Sequence, residues 1–288
     1  MEFSPKISGL VILSEAAYGC YPFIESVRSF LPVVDELVVA FNVYGQNDGT
    51  REAIEAIKDP KIRIVSTVFD IYKYGWYSYG ISRTMGYQAC KGDVILMFDA
   101  DGVLHEKDYP TLARELSIFI DTKRATGYWE KRRIYKPDTY WDQHKHSGIY
   151  SKKILGDRFD FFRDDGKGAP NFTRLTPAEQ DSFKFSVQLF GYEHVWDIEE
   201  VVKAKVNRYG RMADSLADRE FKTPELYFSE YMQELVDGIK AKGKTMSVRD
   251  HPALMQNKLT QINNTHFGYN FFGYVGRDNV ELKEDGGL

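Results

Sequence analysis

Four apolar runs, separated by stretches of helical spacing, fill the first hundred residues and restrict the fold more than any other feature. Residues 9–14 (GLVILS), 36–41 (ELVVAF), 61–66 (KIRIVS) and 93–98 (DVILMF) read as strands. Residues 21–34 between the first two read as a helix with Pro22 near its start. The Asn47-Asp48-Gly49-Thr50 turn leads into a helix through Lys58, with Asp48 or Thr50 as its cap. Residues 79–90 have helical spacing, ended by Lys91-Gly92. Strands alternating with helices in this way predict an α/β fold, a Rossmann-like and mostly parallel sheet with helices on both faces. Apolar runs without polar alternation fit strands buried on both sides.

The pattern then loosens. Residues 106–120 predict another helix, and 126–135 (TGYWEKRRIY) alternate as an antiparallel strand would. Residues 141–169 read as loops with short strands, 199–208 and 224–242 as polar helices, and the acidic, Gly-rich stretch 281–288 as a flexible tail. The expected layout is a ligand-binding half, 1–104, and an irregular half, 105–280, of the same domain that completes a cleft.

Composition removes several classes. The 288 residues carry 38 Lys and Arg against 42 Asp and Glu, a net charge of −4, which argues against broad nucleic-acid binding. Apolar runs such as 10–13 and 94–98 are far too short to cross a membrane, and the start, MEFSPKIS, does not read as a signal peptide. Cys20 and Cys90 cannot build a disulfide framework or a zinc site, so a reducing cytoplasm is the expected setting. Aromatic residues reach 15% and cluster at 72–79, 128–150, 159–162 and 267–274. Such rings can wall a cleft, stacking on flat ligand faces while tyrosine hydroxyls hydrogen-bond.

The fourth strand runs straight into Asp99-Ala100-Asp101, within GDVILMFDADGVL. In open α/β sheets ligands bind at the carboxyl ends of the strands. Two carboxylates there suit a hard divalent cation, Mn²⁺ or Mg²⁺, with phosphate oxygens filling its other positions. Such an ion would neutralise a diphosphate leaving group. The competing reading makes Asp99 a turn cap and Asp101 a solvated acid.

Residues 9–104 resemble the donor-binding half of family 2-like glycosyltransferases with the GT-A fold. The segment ISRTMGYQACKGDVILMFDADGVL, residues 81–104, resembles that family's helix, Gly-Asp, strand and Asp-x-Asp block, and 34–50 resembles its second strand and Asp-Gly-Thr turn. The resemblance implies a nucleoside-diphosphate sugar lying across the strand ends. Asp99 and Asp101 would handle the metal and the ribose or diphosphate, and Arg83 would face the diphosphate or base. Asp48 matches the acidic turn, while the family's nucleobase-binding acid would fall a few residues earlier, where this chain reads Phe41-Asn42-Val43-Tyr44. Asp70 and Trp76 are further candidates for base or ribose.

An inverting transfer, which the resemblance implies, also needs a base to deprotonate the acceptor hydroxyl. Residues 190–212 (FGYEHVWDIEEVVKAKVNRYGRM) resemble a His-x-Trp block and helix of some family members. Glu193 and Asp197 are the candidate bases, His194 a third metal ligand and Trp196 a stacking platform. On a strand, Glu193 and His194 would point to opposite faces; Asp197 has an alternative role as a helix cap. Of the remaining clusters, His144-Lys145-His146 reads as a solvated loop and Asp164-Asp165-Gly166 as a turn near the acceptor. His266 belongs to a lid or a packing segment. Lys131-Arg132-Arg133 reads mostly as a solvated strand face that would meet an anionic acceptor at most. The acceptor is a glycan, lipid-linked sugar, protein or modified base. Two other functions compete: a sugar nucleotidyltransferase, against which the missing Gly-rich basic loop at 14–21 (SEAAYGCY) counts, and a non-catalytic nucleotide-sugar or glycan-binding module.

Overall fold

At the centre of the sheet β1 (Ile7–Leu13) pairs in parallel with β2 (Glu36–Asn42) on one side and β4 (Val94–Phe98) on the other, and β3 (Ile62–Thr67) lies outside β2. The computed structural model describes residues 6–42, 47–75, 77–156 and 176–274. Val43, Tyr44, Trp76, the aromatic run 159–162, Asp164-Asp165-Gly166 and the expected tail lie outside the described residues. All four predicted strands form, with ends shifted by one or two residues.

Side-chain alternation assigns the helices to the two faces. Val11, Leu13, Val39 and Phe98 pack with Phe23, Val27 and Phe30 of α1 (Phe23–Phe30). Phe30 stacks on Phe98 with ring centroids 3.8 Å apart. The intervening Leu10, Val38, Ala40 and Ile95 face the other way and cluster with Tyr87. Tyr87 belongs to α4 (Tyr77–Ala89), which follows α2 (Thr50–Glu55) and the single turn α3 (Ile71–Tyr74). Gly86 lets α4 approach this closely, because a Cβ there would come within 2.5 Å of Leu10 Cδ1 and 3.2 Å of the Ala40 Cβ.

Beyond the acidic turn come β5 (Gly102–Leu104), α5 (Tyr109–Asp121), β6 (Thr126–Lys136), β7 (Thr139–Ser151), α6 (Lys152–Leu155), α7 (Pro177–Gln180) and β8 (Phe183–Gly191). The helices α8 (Glu199–Leu216) and α9 (Pro224–Lys242), strand β9 (Lys244–Thr245) and helices α10 (Ala253–Leu259) and α11 (Phe267–Asn270) complete the described elements. One mixed sheet, ordered β3-β2-β1-β4-β7-β6-β8-β5 with β9 on β7, runs through both halves. β7 is antiparallel to β4 and β6, and β6 runs parallel to β8.

Three expectations need correction. Residues 139–151 form a long strand, not loops, because TYWDQHKHSGIYS keeps pairing with both β4 and β6 despite its polar side chains. Glu193 and His194 follow the end of β8 in a bend and are not on a strand. α8 extends well past Arg208, to Leu216.

Candidate active site

The acidic turn is fixed from behind. The Gly102 amide donates to the Asp99 carbonyl at 3.0 Å, closing the turn. The buried Ser26 hydroxyl of α1 donates to the Gly102 carbonyl at 2.6 Å and the Asp99 carbonyl at 3.2 Å. On the far side the Tyr192 amide donates to the Asp101 carbonyl at 3.0 Å, and β5 pairs with β8, Gly102 opposite Gly191. The fold thus brings 99–101 and 191–193 together, which a reading along the chain separates by some ninety positions.

A cavity of about 470 Å³ opens over this turn at the carboxyl ends of the central strands. Ser14 and Phe69, just past β1 and β3, line one side with Tyr79 and Arg83 of α4. Lys131 and Arg133 of β6 and Gln143 and His146 of β7 line the opposite wall. Glu193 and, from α8, Arg208 and Tyr209 also line it. The Tyr79 and Tyr209 hydroxyls hydrogen-bond at 2.9 Å, joining α4 to α8 across it.

The charges are closely interleaved. Lys131 Nζ lies 2.9 Å from Asp101 Oδ2 and 3.9 Å from Asp99 Oδ2. Burial opposes the Lys131 ammonium, but Asp101, Asp99 and Glu193 outweigh it and raise its pKa. Burial likewise opposes the Asp99 carboxylate, while Lys131, His146 and Arg83 hold it below the usual carboxylate range. Burial and then Lys131 push His146 down to about 4, so its ring is neutral at neutral pH. Arg133 Nη2 lies 2.6 Å from Glu193 Oε2. Its neighbours, His194 and Arg133 foremost, overcome burial and hold Glu193 at about 2.

Of the residues singled out from sequence, Asp99, Asp101, Arg83 and Glu193 converge on the cavity. The other candidates among the described residues do not line it. Asp48 accepts from the Tyr18 amide at 2.8 Å and the Thr50 amide at 3.0 Å, pinning two loops together. Asp70 accepts from the Lys73 amide at 3.0 Å and so caps α3. Trp196 is buried beside Tyr192, its ring nitrogen donating to the Lys258 carbonyl at 3.3 Å. Asp197 is fully buried, with Oδ2 at 2.8 Å from both His194 Nδ1 and Lys205 Nζ. His194 Nδ1 is thereby taken up by Asp197, while its Nε2 lies 3.7 Å from Glu193 Oε1. Asp197 is also not the cap of α8, a position held by Ile198. His266 lies at the start of α11, accepting from the Asn263 amide at 3.1 Å, and the next two amides bond the Asp197 and Val195 carbonyls. That segment packs against the 195–197 turn.

The sequence reading missed Lys131, Arg133, His146 and Arg208. Lys131 and Arg133 are two apart on β6, so the period-two rule sends both to one face; nothing local marks that face as the inner one. His146 sits on a strand lining the cavity, not in a solvated loop.

Among the described residues no three His, Cys, Asp or Glu side chains are grouped as a metal site. A divalent cation here would therefore rest on Asp99 and Asp101 and take its other ligands from phosphate oxygens and water, the usual arrangement for Mg²⁺ and Mn²⁺ beside substrate phosphates. The residues fit that role: Asp101 Oδ2 is buried with no hydrogen-bond partner among the described residues, its ion pair to the Lys131 ammonium lying at 2.9 Å.

Residues 21–172 match the model of Glycosyl transferase family 2, and the chain belongs to that family. It is a glycosyltransferase of GT-A fold. No curated protein matches it by sequence. Among solved structures it is similar to a Pyrobaculum calidifontis mannosyltransferase in complex with GDP-Man and Mn²⁺, at 15% identity over 80% of this chain and 70% of that one, with a TM-score of 0.49. A Mycobacterium tuberculosis glucosyl-3-phosphoglycerate synthase, in complex with Mn²⁺, UDP and phosphoglyceric acid, is 17% identical over 45% of this chain and 44% of its own, with a TM-score of 0.31. The 4-diphosphocytidyl-2C-methyl-D-erythritol synthase of Anaerococcus prevotii is 11% identical over 64% of this chain and 87% of its own, with a TM-score of 0.42. No described helix is long and apolar enough to cross a membrane.

Proposed function

We propose that this glycosyltransferase moves a sugar from a nucleoside-diphosphate sugar to an acceptor hydroxyl, with Mn²⁺ or Mg²⁺ held by Asp99 and Asp101, and that it inverts the anomeric centre. The observation that carries the reading is the convergence of Asp99, Asp101, Arg83 and Glu193 on one cavity at the strand ends. The nucleotide lies against the Ser14, Phe69 and Tyr79 side of the cavity, its diphosphate toward Arg83 and the acidic turn. When bound, the cation supplies Lewis-acid neutralisation of the departing diphosphate. Arg83 and Lys131 add fixed positive charge where that negative charge develops.

Glu193 takes the proton from the acceptor hydroxyl. It is the cavity carboxylate outside the acidic turn, and Arg133 keeps it ionised and oriented. A carboxylate held at about 2 is a weak base, so the proton moves late, as the attacking oxygen gains positive charge. The acceptor enters from the side of the cavity lined by β6 and β7. Asp48, Asp70, Trp196, Asp197 and His194 keep structural roles in this reading.

The test is turnover of UDP-, GDP-, ADP- and CDP-sugars with Mn²⁺, with and without chelator. Release of the nucleoside diphosphate that is lost in Asp99→Asn and Asp101→Asn supports the reading. Equal turnover in both variants with excess chelator overturns it. Pyrophosphate release from a nucleoside triphosphate and a sugar phosphate would instead identify a nucleotidyltransferase.

A further inference from the structure

Lys131 bears on the order in which ligands enter the cavity. Its ammonium stands between the two carboxylates assigned above to a divalent cation, 2.9 Å from Asp101 and 3.9 Å from Asp99. The fold makes room for it there: a Cβ on Gly191 would collide with Lys131 Cε and lie 3.1 Å from both Nζ and Asp101 Oδ2. Lys131 is only 7% exposed. Arg83 approaches Asp99 at 4.0 Å and Arg133 pairs with Glu193, and Arg208 adds a fourth cation whose Nε is buried without a hydrogen-bond partner. Among the described residues, four cations thus face three carboxylates before any ligand arrives.

That balance treats the two ligands differently. A divalent cation entering alone meets net positive charge and must push the ammonium away from Asp101. A diphosphate entering alone meets attraction. When both enter, the diphosphate offsets the metal, and Lys131 can turn from Asp101 toward a phosphate oxygen. We propose that Lys131 is a tethered cation that keeps free metal out of the Asp99–Asp101 site and yields it when a diphosphate is present, so that metal and nucleotide bind in strong mutual dependence. The proposal rests on reading the cavity as a nucleoside-diphosphate-sugar site. Linkage makes the dependence reciprocal: whatever factor the diphosphate adds to metal affinity, the metal adds to diphosphate affinity.

The experiment uses the whole protein and two separate probes, Mn²⁺ alone followed by electron paramagnetic resonance and inorganic pyrophosphate alone, in chelator, followed by calorimetry. Lys131→Met keeps the apolar stem and removes the charge. It is expected to bind Mn²⁺ alone at least about tenfold tighter and pyrophosphate alone at least about tenfold weaker, since one close unit charge acts with opposite sign on the two ligands. Lys131→Arg moves both affinities back. A merely structural lysine would lower both together, and that result, or unchanged Mn²⁺ affinity, overturns the proposal. Lys131→Gln replaces the methionine variant if that one does not fold, judged by circular dichroism. Wild-type protein that holds Mn²⁺ equally well with and without nucleoside diphosphate overturns the proposal alone. If none of UDP, GDP, ADP or CDP brings Mn²⁺ to the wild-type protein, and it binds none unaided, the functional reading falls and the proposal with it.

Discussion

Arg133 Nη2 lies 2.6 Å from Glu193 Oε2, so a guanidinium from β6 fixes the cavity carboxylate that follows β8. The pairing is a consequence of register, since Arg133 stands opposite Gly191 in the parallel β6–β8 ladder. If Glu193 is the base, Glu193→Gln keeps the shape and removes the proton acceptor. Its kcat should fall about 10²- to 10⁴-fold. Donor KM should change by no more than about threefold, because the donor side of the cavity is untouched. Steady-state kinetics with donor varied at saturating acceptor checks this; a kcat within twofold of wild type would remove Glu193 from the mechanism.

Asp197 is buried beside the site and holds two elements together. Its Oδ2 accepts from Lys205 Nζ at 2.8 Å, and the same ammonium donates to the Gly19 carbonyl at 2.6 Å, tying the loop after β1 to α8. Removing one member of a buried pair leaves the other charge unpaired, which costs about 3–5 kcal/mol. Asp197→Ala should therefore lower unfolding free energy by about that much in urea titrations. Lys205→Met, which also loses the Gly19 contact, should be similarly destabilised. Adding the two losses should overshoot the double variant, because both act on one contact.

The sequence carried the first hundred residues well, and the reason is physical. Strands buried on both faces must be continuously apolar, so GLVILS, ELVVAF and DVILMF announced β1, β2 and β4, and Asp99 and Asp101 followed from the end of β4. The second half was less legible because its strands carry charge inward. Lys131 and Arg133 read as a solvated face by residue type, yet they point into a cavity whose carboxylates come from 99–101 and 193. Residues 141–151 read as part of loops with short strands for the same reason: Asp142, Gln143 and His146 are polar side chains of one strand that line the site or meet neighbouring charges. His194 and Asp197 drew attention by type and position, but His194 Nδ1 and Asp197 Oδ2 face each other at 2.8 Å inside the protein. Which polar residues converge is set by the pairing of β5 with β8, which no local pattern encodes.

Glu36 supplies a pH dependence away from the cavity. Burial raises its pKa, but hydrogen bonds from the Ser8 hydroxyl at 2.6 Å and from the Lys91 amide, together with Arg63, more than compensate and lower it from 4.5. A carboxylate lowered in the folded state stabilises above its unfolded pKa and loses that contribution as pH falls through the folded value. Wild type should thus be more stable than Glu36→Gln by a constant margin from pH 7 down to about 5, and the margin should shrink below about 4.5. Urea midpoints measured from pH 7 to pH 3 decide it. A margin that grows on acidification would mean the sign is wrong.

Gly191 makes the position of Lys131 testable from the opposite side. Gly191 ends β8, and no backbone strain calls for glycine there; what calls for it is the Lys131 stem, which occupies the space a Cβ would take. Gly191→Ala must push that stem aside, and with it the ammonium now 2.9 Å from Asp101. Overpacking of this kind costs about 1–3 kcal/mol, so a lowered thermal midpoint is expected. The charge remains in the cavity but no longer sits on Asp101. Mn²⁺ should therefore bind more tightly than to wild type, as for Lys131→Met, while pyrophosphate should bind nearly as well as to wild type because the cation is still present. Unchanged Mn²⁺ affinity would show that the lysine stem adapts without leaving Asp101.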